Sequence, residues 1–273
     1  MLTRLATGLV LAPLLVWLLV SGPLPAIAVT IAIAAAVATR ELLSMFAFTR
    51  GTDRSVGAVL AGLVAASPML PGRLPFAVWM VANVAALGLA LRKPENLEIA
   101  ARRAAITLAA IAYVGGMAAA IAAIATHKVP AGTAEGAVSF ARGTILMMFV
   151  IVFAGDTGAY FAGRTFGRHK LNELISPKKT IEGTIGGLIA STFGAWVCMN
   201  WLLPAIDLHH ALALGFFCGA TGQIGDLAES LFKRATGSKD SGTLLPGHGG
   251  MLDRIDGVLF AAPVFYLYLL VAH

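Results

Sequence analysis

The sequence predicts an all-α, polytopic integral membrane protein with about nine transmembrane helices. Three observations carry that prediction. Hydrophobic residues make up 58% of the 273-residue chain and charged residues 12%. A soluble domain usually carries about 25% charged residues, so lipid must cover much of this surface. Apolar runs of spanning length recur along the whole chain, and the basic residues between them sort to one side.

The runs lie at roughly 5–22, 24–39, 55–71, 75–91, 104–126, 143–162, 184–203, 209–226 and 256–272. The first resembles a cleavable leader, with Arg4, an apolar core over 9–20 and the small residues Ala26 and Ala28. The charge balance favours reading it as a retained span. With nine spans and a cytoplasmic N-terminus, seventeen Lys and Arg residues face the cytoplasm and three (Arg73, Lys128 and Arg142) face the other side. Removing one early span inverts every later loop and destroys the asymmetry. Many spans are rich in Ala and Gly, which lets helices approach closely in lipid.

The chain divides into an N-terminal transmembrane bundle, 1–140, and a C-terminal part, 141–273, that holds two long polar cytoplasmic loops at 163–183 and 226–256. Chemistry is expected in the second part. Net charge is +6, which positive-inside loops explain. No basic stripe with interleaved aromatics suggests a nucleic-acid partner. Cys198 and Cys218 sit in apolar runs without metal-ligand spacing and read as buried thiols. The sequence has no P-loop, no HExxH, no GxSxG and no dinucleotide fingerprint.

Acidic residues at membrane depth are costly and usually mark a site or a buried pair. Asp156 lies within the sixth run, Asp226 ends the eighth, and Asp253 and Asp256 open the ninth. Asp226, Glu229 and Ser230 fall at i, i+3 and i+4, one face of a helix, and Asp253 and Asp256 fall at i, i+3. Carboxylates so grouped suit Mg2+, which takes a few carboxylates, waters and substrate phosphates. Between them lie Lys233, Arg234, Lys239, Asp240 and the run Pro246, Gly247, His248, Gly249 and Gly250, a composition able to turn backbone N–H groups toward an anion. In the other loop, Ser176 and Pro177 suit the N-cap and first position of a helix, which puts Lys178, Lys179 and Thr180 in its first turn, where an anion is welcome. The structural alternative is a capped helix with snorkelling lysines.

Ser230, Lys233, Arg234, Lys239, Asp240, Gly242, Pro246, His248, Gly249, Gly250, Asp253, Arg254 and Asp256 together resemble the signature of the phosphatidate cytidylyltransferases, also called CDP-diacylglycerol synthases. Asp156, Gly163, Arg164 and the segment 176–180 are similar to the same family, so the likeness covers about 150–260. The resemblance implies an all-helical membrane enzyme, frequently a homodimer, that turns CTP and phosphatidate into CDP-diacylglycerol and pyrophosphate at the cytoplasmic face of a bacterial inner membrane. It implies Mg2+ and allows a monovalent cation such as K+ beside it.

On that basis Asp226 and Asp253 are the expected principal metal ligands, with Asp256 and Glu229 nearby. Lys239, His248, Gly249 and Gly250 are expected on the CTP phosphates. Lys233, Arg234, Ser176, Lys178, Lys179 and Thr180 are expected on CTP or the lipid phosphate. Asp240 and Arg254 complete the catalytic run. Rival readings are a CTP-dependent enzyme acting on another lipid, such as an ether-lipid phosphate or a polyprenol, and an ion-coupled transporter using Asp156 and Asp226. The crowding of polar features into one half disfavours the transporter.

Overall fold

The computed structural model describes residues 13–92, 96–126, 134–204, 206–244 and 249–272. The chain is helical apart from one small hairpin. After a helical stretch at 13–21, it forms α1 (Leu24–Met45), α2 (Gly51–Ala66), α3 (Leu74–Ala90), α4 (Leu97–Thr126) and α5 (Ala134–Phe166). The hairpin strands β1 (Lys170–Asn172) and β2 (Ser176–Thr180) follow, then α6 (Ile181–Trp201), α7 (Leu208–Ala235) and α8 (Leu252–Ala272).

Six of these, α1 and α4 to α8, are long and apolar enough to cross a bilayer, which makes this a multi-pass membrane protein. The expected count of nine is not reached among the described residues. Helices α2 and α3 have 16 and 17 residues. At 1.5 Å per residue they reach about 25 Å, short of the ~30 Å hydrocarbon core. The first expected span lies partly outside the described residues. Large apolar side chains such as Val84, Ile189 and Phe193 are exposed, as a lipid-facing surface requires.

The chain forms two compact units, Met1–Thr126 with Ala235–Arg254, and His127–Arg234 with Ile255–His273. In the first unit small residues set the helix spacing. A Cβ at Gly115 of α4 would lie 2.8 Å from the Ala61 carbonyl of α2, and one at Gly62 would lie 3.2 Å from the Ala32 carbonyl of α1. Gly115 falls in a π-helical turn, Ile111–Gly116, where α4 bulges beside α2. Ala61, Val64, Ala82, Ala86 and Ile111 form a core there.

The same unit buries an ion pair. Arg103 Nε and Nη2 donate to the two Asp53 oxygens at 2.7 Å each, and both side chains are 3% exposed. Asp53, in the first turn of α2 and outside the six spans, also accepts from the Arg50 N–H at 2.7 Å. Burial alone would raise its carboxyl; the Arg103 and Arg50 hydrogen bonds and charges outweigh that and hold it below its usual range.

In the second unit α5 and α6 pack along facing rows of glycine and alanine. A Cβ at Gly158 would overlap Ala190, and one at Gly186 would overlap Ala162. Fully buried Ser191 of α6 donates to the Ile151 carbonyl of α5 at 2.9 Å, which satisfies its hydroxyl inside the pair. Cys198 and Cys218 are both buried and free, as the sequence suggested.

One local expectation is corrected. Ser176 and Pro177 do not open a helix. They belong to β2, which pairs antiparallel with β1 through Lys170↔Thr180 and Asn172↔Ser176. Pro177 suits an extended edge as well as a first helical turn. The N-cap is Thr180, whose Oγ1 accepts from the Gly183 N–H at 3.1 Å. Lys178 and Lys179 therefore sit on the strand that leads into α6. The loop expected at 226–256 is also shorter, because α7 continues helical through Ala235. Its last turns are rich in good helix formers, and Lys233 and Arg234 in the final turn complement the helix dipole.

Candidate metal and phosphate site

The extension of α7 decides the site of the second unit. Asp226 and Glu229, three residues apart on one helix, share a face. Asp256 of α8 joins them, and one oxygen from each of the three carboxylates lies within 4.8 Å of the other two. Glycine makes the approach possible. A Cβ at Gly225 would crowd the Asp256 carbonyl at 2.5 Å and the Phe260 ring at 2.9 Å. Asp156 of α5 adds a fourth carboxylate within electrostatic reach of Asp226, Asp256 and Lys179.

Two ammonium groups balance this corner. Lys179 of β2 places Nζ 2.6 Å from Asp226 Oδ2. Lys233, one turn beyond Glu229, donates to Glu229 Oε2 at 2.6 Å. Glu229 is 1% exposed, so its charge depends on such a partner. The donor set fits a hard divalent cation: carboxylate oxygens only, converging from two helices, with negative charge in excess of the two lysines. Asp226 is part-exposed, which leaves the corner open to a ligand.

The hairpin is braced at its base. Glu182 accepts from the Arg168 and His169 N–H groups and pairs with His169 Nδ1 at 2.7 Å. Asn172 Oδ1 accepts from the Leu174 and Ile175 N–H groups and shapes the tip. Ser176 and Lys179 are half-buried, Lys178 is exposed and Thr180 is buried.

The first unit contains the rest of the signature. Asp253, in the first turn of α8, accepts at Oδ2 from the Ser241 N–H (3.0 Å), the Ser241 hydroxyl (2.8 Å) and the Gly250 N–H (2.8 Å). Its carboxylate thus organises the loop as a local cap. Gly249 stands at φ +80°, a conformation that favours glycine, and Asp253 Oδ2 would lie 2.8 Å from a Cβ there. Lys239, Asp240 and Arg254 are exposed, as is Arg234 of the second unit. Gly250 is buried. His248 lies outside the described residues.

The structure therefore brings Asp226, Glu229 and Asp256 together with Lys179 and Lys233 in one unit. It places Asp253 with Ser241, Gly249 and Gly250 in the other. Two features escaped the sequence reading. The Glu229–Lys233 pair was visible in principle as an i, i+4 spacing. The second is Glu41 of α1, whose Oε2 stands 3.5 Å from the Ser241 hydroxyl 200 residues later and left no local signal.

A family model described as "Cytidylyltransferase family" matches residues 2–272. A phosphatidate cytidylyltransferase of Staphylococcus saprophyticus is 48% identical over 126 residues, covering 46% of this chain and 48% of that protein. One of Haemophilus influenzae is 45% identical over 132 residues, covering 46% of each. The chain spans about half the length of the curated relatives it matches.

Proposed function

Since this chain belongs to the cytidylyltransferase family, we propose that it transfers the cytidylyl group of CTP to phosphatidate, giving CDP-diacylglycerol and pyrophosphate. Both named relatives carry the phosphatidate cytidylyltransferase name. The observation that carries the reading is the convergence of Asp226, Glu229 and Asp256 beside Lys179 and Lys233.

An oxygen of the phosphatidate phosphate attacks the α-phosphorus of CTP. A P–O bond forms there as the bond to the β-phosphate oxygen breaks, and pyrophosphate leaves with the electron pair. The lipid phosphate is anionic at neutral pH, so the protein needs no strong base. Its work is positioning and neutralisation of phosphate charge. A divalent metal such as Mg2+, held by Asp226, Glu229 and Asp256, would supply Lewis-acid stabilisation of the phosphate oxygens. Lys179 and Lys233 exchange carboxylate partners for phosphate oxygens as substrate arrives. Lys178, Arg234 and Lys239 draw the anionic substrates in from solvent. The Gly249 and Gly250 backbone, shaped by Asp253, serves with Lys239 as the phosphate-binding turn.

The concentration of Lys and Arg in the two polar loops expected at 163–183 and 226–256 supports a cytoplasmic site in a bacterial inner membrane. CTP, phosphatidate and bilayer lipid are the partners, and a homodimer is the expected assembly. The test is formation of CDP-diacylglycerol from CTP and defined lipid phosphates by the purified chain, with and without Mg2+. Turnover only with a polyprenol or an ether-lipid phosphate would reassign the acceptor. No CTP consumption with any of them would remove the proposal.

A further inference from the structure

The N-terminal helices offered no chemistry to the sequence reading, yet α1 reaches into the signature loop. Glu41 Oε2 accepts from the Leu252 N–H at 3.0 Å. Leu252 is the first residue of α8, so its N–H is one of the donors that a helix start leaves without an internal partner. The Ser241 hydroxyl stands 3.5 Å from Glu41 Oε2 and 2.8 Å from Asp253 Oδ2, one hydroxyl between two carboxylates. A Cβ at Gly242 or at Gly250 would overlap the Glu41 carboxylate or its immediate partners. Gly242 is therefore a steric requirement of this one side chain, and Gly250 of Glu41 together with Ser241 and the Gly242 backbone.

The other oxygen, Glu41 Oε1, is buried and has no hydrogen-bond partner among the described residues. A carboxylate with half its acceptors unused is a costly way to fill space. An apolar side chain would pack there at lower cost. What Glu41 contributes is the placement of its Oε2 against both flanks of the loop, 241–244 and 249–252.

We propose that Glu41 is a positioning residue. It caps the start of α8 from α1 and fixes the flanks of the loop in the conformation that Asp253 completes. Its effect on the reaction rests on the cytidylyltransferase reading; its effect on the loop does not. Asp253 sets the local turn, and Glu41 ties that turn to a rigid helix. Without Glu41 the Leu252 N–H loses this acceptor and Gly242 loses the side chain it packs against.

The experiment compares purified wild type, Glu41→Ala and Glu41→Gln in detergent. One readout is hydrogen–deuterium exchange over 241–252. The second is kcat and KM for CTP and for phosphatidate separately. Loss of a charge-assisted bond to a buried N–H predicts a rise of roughly tenfold in KM for CTP in Glu41→Ala, with faster exchange confined to the loop and the phosphatidate KM within about twofold. Glu41→Gln keeps a carbonyl acceptor for the Leu252 N–H and recovers most of both. The proposal is overturned by unchanged exchange in Glu41→Ala, by equal impairment of the two variants, or by a loss of active fraction that leaves both KM values alone. Absence of CTP turnover by wild type would defeat the functional reading, and the exchange data would still judge Glu41.

Discussion

The Lys179 ammonium stands 2.6 Å from Asp226 Oδ2, joining the hairpin strand to the α7 carboxylates. The pair is only part-buried. It occupies the charge that an incoming cation would otherwise neutralise, so the lysine competes with metal for Asp226. Replacing Lys179 by Met removes the competitor. Magnesium affinity, measured by calorimetry without substrate, should tighten several-fold, the scale of one part-screened charge pair. CTP turnover should fall in the same variant, because a phosphate-binding cation is lost. Unchanged magnesium affinity would separate Lys179 from the metal corner.

Asp226 and Asp256 are expected to be the most sensitive positions. Each supplies an oxygen to the three-carboxylate corner from a different helix. Asp226→Asn and Asp256→Asn preserve size and remove charge. A group that stabilises transition-state charge directly is worth roughly 100-fold or more in kcat. Losses of that size in CTP-dependent product formation, with helix content retained by circular dichroism, are the expected outcome. Near wild-type rates in either variant would end its assignment as a ligand.

The buried Asp53–Arg103 pair predicts a stability effect without a site effect. Removing one partner leaves a buried charge and should cost about 3–5 kcal/mol, seen as a large drop in unfolding temperature for Arg103→Met. The double variant Asp53→Leu with Arg103→Met should recover much of the loss. The pH dependence has a fixed sign. Asp53 titrates below its ordinary range in the folded chain. Its contribution is thus present above the unfolded carboxylate range and lost as pH falls through the depressed folded value. Asp53→Asn should flatten that part of the acid limb.

The fold class and the shared face of Asp226 and Glu229 were legible because their signals are local. Low charge, repeated apolar runs and an i, i+3 acidic spacing all survive without tertiary context. The third carboxylate was not legible. The sequence reading pairs Asp226 with Asp253 as principal ligands, and the structure groups Asp256 with Asp226 and Glu229, while Asp253 accepts from Ser241 and Gly250. Nor were the helix boundaries near the site. Ser176 and Pro177 fit a strand edge as well as a helix start, and only pairing with Lys170 and Asn172 decides between them. The continuation of α7 past Asp226 was hidden by its polarity, since a hydropathy reading ends a span where charge begins. Glu41 was invisible for a third reason. Its partners at 241 and 252 are distant in sequence, and no spacing rule connects them.

Helix contact through glycine gives a final pair of predictions with opposite signs. Gly158 of α5 has no room for a side chain. A Cβ there would overlap Ala190 and lie 2.8 Å from the Gly186 carbonyl, which is backbone and cannot rotate away. Gly158→Ala should therefore push α5 and α6 apart, at a cost of about 1–3 kcal/mol typical of overpacking. Gly88 of α3 is also helical, but nothing lies within 4 Å of a Cβ at that position. Gly88→Ala there gains helix propensity, worth up to about 1 kcal/mol, without a clash. Thermal unfolding in one detergent should lower the midpoint for Gly158→Ala and leave it equal or raised for Gly88→Ala. A Gly158→Ala midpoint at or above wild type would show that the two helices can separate freely, and that their glycine rows do not set the spacing on which the hairpin and Lys179 depend.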